Sequence, residues 1–183
     1  MSLLFMFSAN GGTVSKINDT DYAVSLSGTS DRMTWFSDRP NRAAGTVRFG
    51  VFVKAWPLFS FDTNPPNIGL TAGPDDAAQS VVATMLEPKF DPASNTFSAT
   101  LRVLPEHSSP ALPGTTPPPT IGLADLPATL SNVSVFIDDA TTPCNPNLGS
   151  HNLGAGASNS IAPIMFRTPA TKPNCTSATS QQG

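Results

Sequence analysis

Short runs in which apolar and polar residues alternate, broken repeatedly by Gly, Pro, Asn or Asp, dominate this chain. Residues 21–28 set the pattern. Tyr22, Val24 and Leu26 share one face, polar or small residues the other, and Gly28 ends the run. Period-two alternation of this kind predicts a half-buried strand. Residues 32–37 predict another, stopped by Asp38-Arg39-Pro40. The strongest hairpin signal is the pair 79–87 and 96–104, where Phe97, Ala99, Leu101 and Val103 alternate with Ser98, Thr100 and Arg102. Its connection, Asp91-Pro92-Ala93-Ser94-Asn95, carries turn chemistry at nearly every position. In 80–86 apolar residues fall on both faces, which suits a central strand. Leu3-Leu4-Phe5-Met6-Phe7 reads as a first strand, and Val133, Val135 and Ile137 begin a last one before Asp138-Asp139.

Residues 46–56 fit two periods. Phe49, Phe52, Val53 and Trp56 sit at helical spacing, with Thr46 as a cap and Pro57 as a stop. Val47, Phe49, Val51 and Val53 line one face of a strand equally well, and Gly50 disfavours a helix. A strand would leave Phe52 and Trp56 on the face of Arg48 and Lys54, so a short helix is the expectation. Asn64-Pro65-Pro66-Asn67 reads as a rigid, exposed turn into Ile68-Gly69-Leu70. Residues 105–120, with Pro-Pro-Pro at 117–119, read as an extended surface connector with polyproline II character. After Asp139 the chain is Pro, Asn, Gly, Ser and Thr, apart from the apolar run 161–166, which could add an edge strand.

Composition agrees with strands. The 183 residues include 19 prolines and 13 glycines, and only 13% are charged, too few for the solvent faces of long helices. The net charge is −3 and the basic residues are scattered, which excludes a nucleic-acid surface built on clustered Lys and Arg. No apolar run approaches the ~18 residues of a membrane-spanning helix. The run at 3–7 is too short for a secretory h-region and lacks a basic flank. Other features point outside the cell. Asn18-Asp19-Thr20, Asn132-Val133-Ser134 and Asn174-Cys175-Thr176 are glycosylation sequons. On that reading a leader has been removed ahead of this start. Cys144 and Cys175 fit no zinc or redox spacing. A disulfide between them would close a loop of about 30 residues, stabilising by roughly 3–4 kcal/mol in the chain-entropy model. The alternative is two free thiols in a reducing compartment.

Candidate chemistry is sparse. Trp35-Phe36-Ser37-Asp38-Arg39-Pro40-Asn41-Arg42 leads two aromatics into two arginines. Stacking rings and guanidinium forks could bind a sugar or an anion, with Trp35, Arg39, Arg42 and Trp56 as contacts. The structural alternative puts Trp35 in the core and pairs Asp38 with an arginine of the turn. Asp75-Asp76 and Asp138-Asp139 could offer oxygen ligands to calcium, with Asp62 if all converge. Paired aspartates at a strand end also make ordinary solvated turns. His107 and His151 lie in Pro/Ser and Asn/Gly loops, and Glu87 and Glu106 stand beside prolines. None has the setting of a triad or of a glycosidase carboxylate pair, so a hydrolase is the least supported reading.

The order Trp35-Phe36-Ser37-Asp38-Arg39-Pro40, Asn64-Pro65-Pro66-Asn67, the Pro92-Ala93 hairpin and Val135-Phe136-Ile137-Asp138-Asp139 resembles a set of small exported microbial β proteins. The resemblance spans about residues 3–139 and implies one domain there, with no activity or ligand attached. The expected architecture is an all-β sandwich of seven or eight short antiparallel strands with one short helix, over residues 1–139, followed by a tail at 140–183. The expected role is a non-catalytic structural or assembly protein of the cell surface or extracellular matrix. Its expected partner is another copy of itself, as an oligomer or filament. The competing expectation is a module binding glycans or calcium. Exposure of tryptophan separates the two, because a binding module should present at least one indole to solvent.

Overall fold

The computed structural model describes residues 2–37, 42–74, 77–104 and 121–141. They form an all-β fold with eight antiparallel strands in one sheet and one short helix. The strands are β1 (Ser2–Lys16), β2 (Asp21–Ser27), β3 (Arg32–Ser37), β4 (Ala44–Arg48), β5 (Asn67–Ala72), β6 (Gln79–Asp91), β7 (Thr96–Val103) and β8 (Thr129–Thr141). Their spatial order is β2-β7-β6-β5-β8-β1-β3-β4, and β2 also pairs with β1. That extra pairing closes six strands into a ring. The hairpin β3–β4 branches off it, because β1 pairs with β3 through residues 3–6 and with β2 through residues 11–16.

The branching needs a corner in β1. Leu3, Phe5, Phe7 and Ala9 are buried, then Val14. The inward face therefore passes from odd to even positions across Gly11-Gly12. β8 makes the same switch beside it, from Leu130 to Val133, Val135 and Ile137, with Asn132 at φ 48°. A strand pair that bends in concert can belong to two parts of a sheet at once. Both glycines are needed for close approach. A Cβ on Gly11 would lie 2.7 Å from the Leu130 carbonyl oxygen, and one on Gly12 would overlap the Ser25 carbonyl oxygen of β2.

The 79–104 hairpin forms as its alternation predicts, with β6 running on to Asp91. Proline at 88 is accommodated by a bulge: the β6–β7 register shifts between Leu86 and Lys89, and Glu87 has φ 47°. Asp91 accepts hydrogen bonds from the Ala93 N–H and the Ser94 hydroxyl, which fixes the turn. Pro66 departs from the exposed turn expected of 64–67. It is buried, and its carbonyl accepts a hydrogen bond from the Met85 N–H at 3.0 Å.

The short helix expected in 46–56 forms from Phe49 on, and the strand alternative holds only as far as Arg48. β4 ends at Arg48 and the helix α1 (Phe49–Ala55) begins at once, continuing as a 3-10 turn, Trp56–Phe59. Thr46 is not the cap. Arg48 holds that position with no side-chain cap bond, and the Phe49 N–H instead donates to the Asp31 carbonyl. Phe49, Phe52 and Ala55 face inward. Phe49 stacks on Phe90 at 4.8 Å and meets Phe7 edge-on at 4.9 Å, while Phe52 lies 4.8 Å from Phe5. The helix thus fills the core with aromatic rings drawn between the strands.

Candidate functional site

The two tryptophans are core residues, so neither is the stacking platform that the aromatic-arginine segment suggested. Trp35 is 7% exposed and lies against Gly45, where a Cβ would come within 3.0 Å of the indole. Trp56 is also 7% exposed, packed 4.7 Å from Phe61 and 5.7 Å from Phe52. Inward alternation in β3 and the helical repeat from Phe49 bury them, as they bury any large apolar residue at those positions. Arg42 is exposed, and Asp38 and Arg39 lie outside the described residues. The structure does not bring Trp35, Trp56 and Arg42 to a common surface.

Of the acidic pairs, Asp75 and Asp76 lie outside the described residues. Asp138 is exposed on the outer face of β8, and Asp139 belongs to the same strand. Asp62 is exposed beyond the 3-10 turn. Among the described residues no three His, Cys, Asp or Glu side chains gather as a metal site. His107, His151, Cys144, Cys175 and Asn174 also lie outside the described residues.

The sequons that are described occupy turns and bends. Asn18 is exposed, and its Oδ1 accepts from the N–H groups of Thr20 at 2.9 Å and Asp21 at 2.8 Å, closing the β1–β2 turn. Its Nδ2 donates to Asp21 at 3.3 Å. Asn132 is exposed at the β8 bend.

The best-defined polar cluster adjoins that turn. Arg102 of β7 donates to Asp21 of β2 from Nε at 2.8 Å and from a terminal nitrogen at 3.2 Å. The Arg102 hydrogen bond holds the Asp21 carboxyl below its ordinary range, against a smaller upward push from burial. This fork ties two neighbouring strands and reads as a structural clamp. Because the folded value is depressed, its stabilisation is present above the ordinary aspartate value near 4 and is lost as pH falls below it. Asp21→Asn should therefore reduce stability near neutrality and flatten the acid limb of a stability-against-pH curve below about pH 4. An acid limb unchanged in the variant would remove Asp21 from that role.

Two features missed by sequence reading concern the outside of the sheet. The first is an edge. β4 is the one described strand with a single neighbour. Ser37 N–H donates to the Ala43 carbonyl and Phe49 N–H to the Asp31 carbonyl, so by antiparallel alternation Gly45 and Val47 bond to β3. The backbone groups of Ala44, Thr46 and Arg48 then face away from the sheet. Arg48 is tethered only loosely, 3.9 Å from Asp31. The second is an outward apolar row. Register places Thr46, Thr34, Met6, Phe136, Gly69 and Val82 side by side across six strands. Met6 is 46% exposed and Phe136 38%, and Phe36 lies 6.2 Å from Phe136.

Two hollows on the described surface are both shallow. One of about 260 Å³ lies across β1, β2, β7 and β6, lined by Ser15, Ser25, Ser98, Thr100, Glu87 and Lys89 among others. No described helix is long and apolar enough to cross a membrane. Comparison with protein families, with curated proteins and with solved structures finds no match.

Proposed function

We propose that this chain is a non-catalytic structural subunit of the cell surface or extracellular space that self-associates by adding strands at β4. The carrying observation is that β4 has one neighbour, while every other described strand has at least two. A one-sided strand presents unpaired N–H and C=O groups, the template for pairing with a second chain. Two copies of β4 related by a twofold axis through Thr46 would set Arg48 opposite Ala44, so like charges are not opposed. Such a pair would form about six backbone hydrogen bonds. The burial of both tryptophans favours assembly over glycan capture. The extracellular placement is supported by the exposure of Asn18 and Asn132 within their sequons.

Thr46→Pro tests the edge. Its N–H faces outward, so proline removes a donor from the free edge and leaves the bonds of Gly45 and Val47 to β3 in place. Sedimentation velocity over a concentration series should show the natural chain associating and the variant remaining monomeric, with unchanged far-UV circular dichroism. A natural chain that stays monomeric throughout, or a variant that associates equally, would overturn the proposal.

A further inference from the structure

The ring of six strands has a mouth where β1 ends and β2 begins, at the end of β1 away from its pairing with β3. There Lys16 pairs directly with Tyr22, so the two share the inward face, and Leu101 and Met85 continue their row. The 3-10 turn Leu123–Asp125 borders this mouth. The Val14 N–H donates to the Ala128 carbonyl at 2.9 Å, and the Asp125 carboxylate accepts from the Gly122 N–H at 2.7 Å, which holds the turn in place. Between turn and strands lies the second hollow, of about 300 Å³, with Val14, Leu123 and Leu126 in its wall. Among the described residues Lys16 and Tyr22 are its only polar lining side chains. Tyr22 is 7% exposed, and its hydroxyl has no hydrogen-bond partner among the described residues. Buried tyrosine hydroxyls ordinarily find one, because leaving water unpaired is costly. The Asp19 hydrogen bond is the main cause that raises the Lys16 ammonium above its ordinary range, and the Tyr22 phenol adds a small upward share, which places that phenol near the rim.

We propose that this mouth binds a small, uncharged, largely apolar molecule whose carbonyl oxygen accepts a hydrogen bond from the Tyr22 hydroxyl. An apolar wall with one or two placed polar groups, at the mouth of a strand ring, is the usual make-up of a small-molecule site. The unpartnered hydroxyl supplies the directional contact, and Val14, Leu123 and Leu126 supply the apolar surface. Charge selects against an anion. Lys16 already bonds Asp19 at 2.8 Å, and Asp19 is almost fully exposed at the rim, so an incoming carboxylate would meet a carboxylate. Volume sets the size. A cavity of about 150 Å³ takes one benzene, so about 300 Å³ admits a molecule of up to roughly a dozen non-hydrogen atoms. The site shares no residue with β4, so it is independent of self-association through that edge.

Tyr22 is the chain's only tyrosine, which supplies the test. In the full chain labelled at tyrosine and at the methionine methyls, one ring signal reads the mouth, and Met33, paired with Val47 of β4, reads a distant part of the core. Hexan-2-one, titrated as the probe, should move the tyrosine signal along a saturating curve and leave Met33 unmoved. Hexanoate, of similar length but charged, should bind at least fivefold more weakly. Tyr22→Phe, followed through leucine methyl signals, should weaken hexan-2-one about fivefold, the worth of one neutral hydrogen bond. The same variant without probe should melt at or slightly above the natural temperature, because it removes a buried hydroxyl that had no protein partner. A tyrosine signal that stays put, or drifts in proportion to probe without saturating, would overturn the proposal and leave solvent as the sole occupant. Unchanged binding in Tyr22→Phe, or a melting point several degrees lower, would overturn it too, the second by showing that the hydroxyl is bonded within the protein. Hexanoate binding as tightly as hexan-2-one would overturn the uncharged class of ligand.

Discussion

Leu101→Asp should leave no cooperatively folded domain. Leu101 is 0% exposed in the middle of β7, with Tyr22 of β2 on one side and Met85 of β6 on the other. The new carboxylate would enter a face made of Leu, Met, Phe and Tyr side chains. Burying it unpaired costs several kcal/mol, a large part of the 5–15 kcal/mol that holds an ordinary domain. Far-UV circular dichroism and a thermal melt should show loss of the native β signal and of the transition. Native melting in this variant would make β7 peripheral and contradict the ring.

Gly12→Val should open the seam between β1 and β2. A Cβ at this position overlaps the Ser25 carbonyl oxygen and comes within 2.7 Å of the end of the Leu26 side chain and 3.1 Å of its Cα. The leucine tip can swing aside, but the backbone atoms of β2 cannot move without lengthening the 11–16 to 22–27 pairing. Overpacking costs of 1–3 kcal/mol are typical, and backbone displacement puts this case at about 3 kcal/mol. For a chain of this size that lowers the melting midpoint by about 6–12 °C. Gly69→Ala is the matched control, since its Cβ enters open space. It should melt at or slightly above the natural temperature, because alanine restricts the unfolded chain more than glycine does. Equal effects at the two glycines would show that the corner tolerates a side chain.

These two substitutions also mark what could be read in advance. β2, β3 and β7 each bury one face and wet the other, so their alternation survives intact in the sequence. The resulting class, all-β with one short helix, follows from that alternation together with the prolines. The second half of β1 was not legible. Asn10-Gly11-Gly12 carries turn chemistry, yet the glycines serve a strand onto which β8 and β2 close from either side. The start of α1 was equally hidden, since a tertiary bond from Phe49 to Asp31 replaces the local cap. The candidate site fared worst. Trp35 and Trp56 drew notice by type, and types say nothing about which face a residue takes. The outward row could not be seen because Leu4 and Met6 sit inside an unbroken apolar run, and only pairing with Thr34 and Phe136 shows that they face away from the core.

The pairing of β1 with β8 runs from Ser2–Thr141 to Thr13–Thr129, joining the first strand of the fold to the last. Contacts this distant in sequence slow folding, because loop closure must precede any gain from pairing. On a ribosome adding about 5–20 residues per second, β1 meets β2 and β3 early but waits many seconds before β8 is made. During that interval its Leu-Leu-Phe-Met-Phe run can pair with β3 along one edge only, and its other edge stays an open apolar strand edge, the kind of segment that aggregates during synthesis. The chain's yield in a cell should therefore depend on whatever shields its first few residues until residue 141 has emerged.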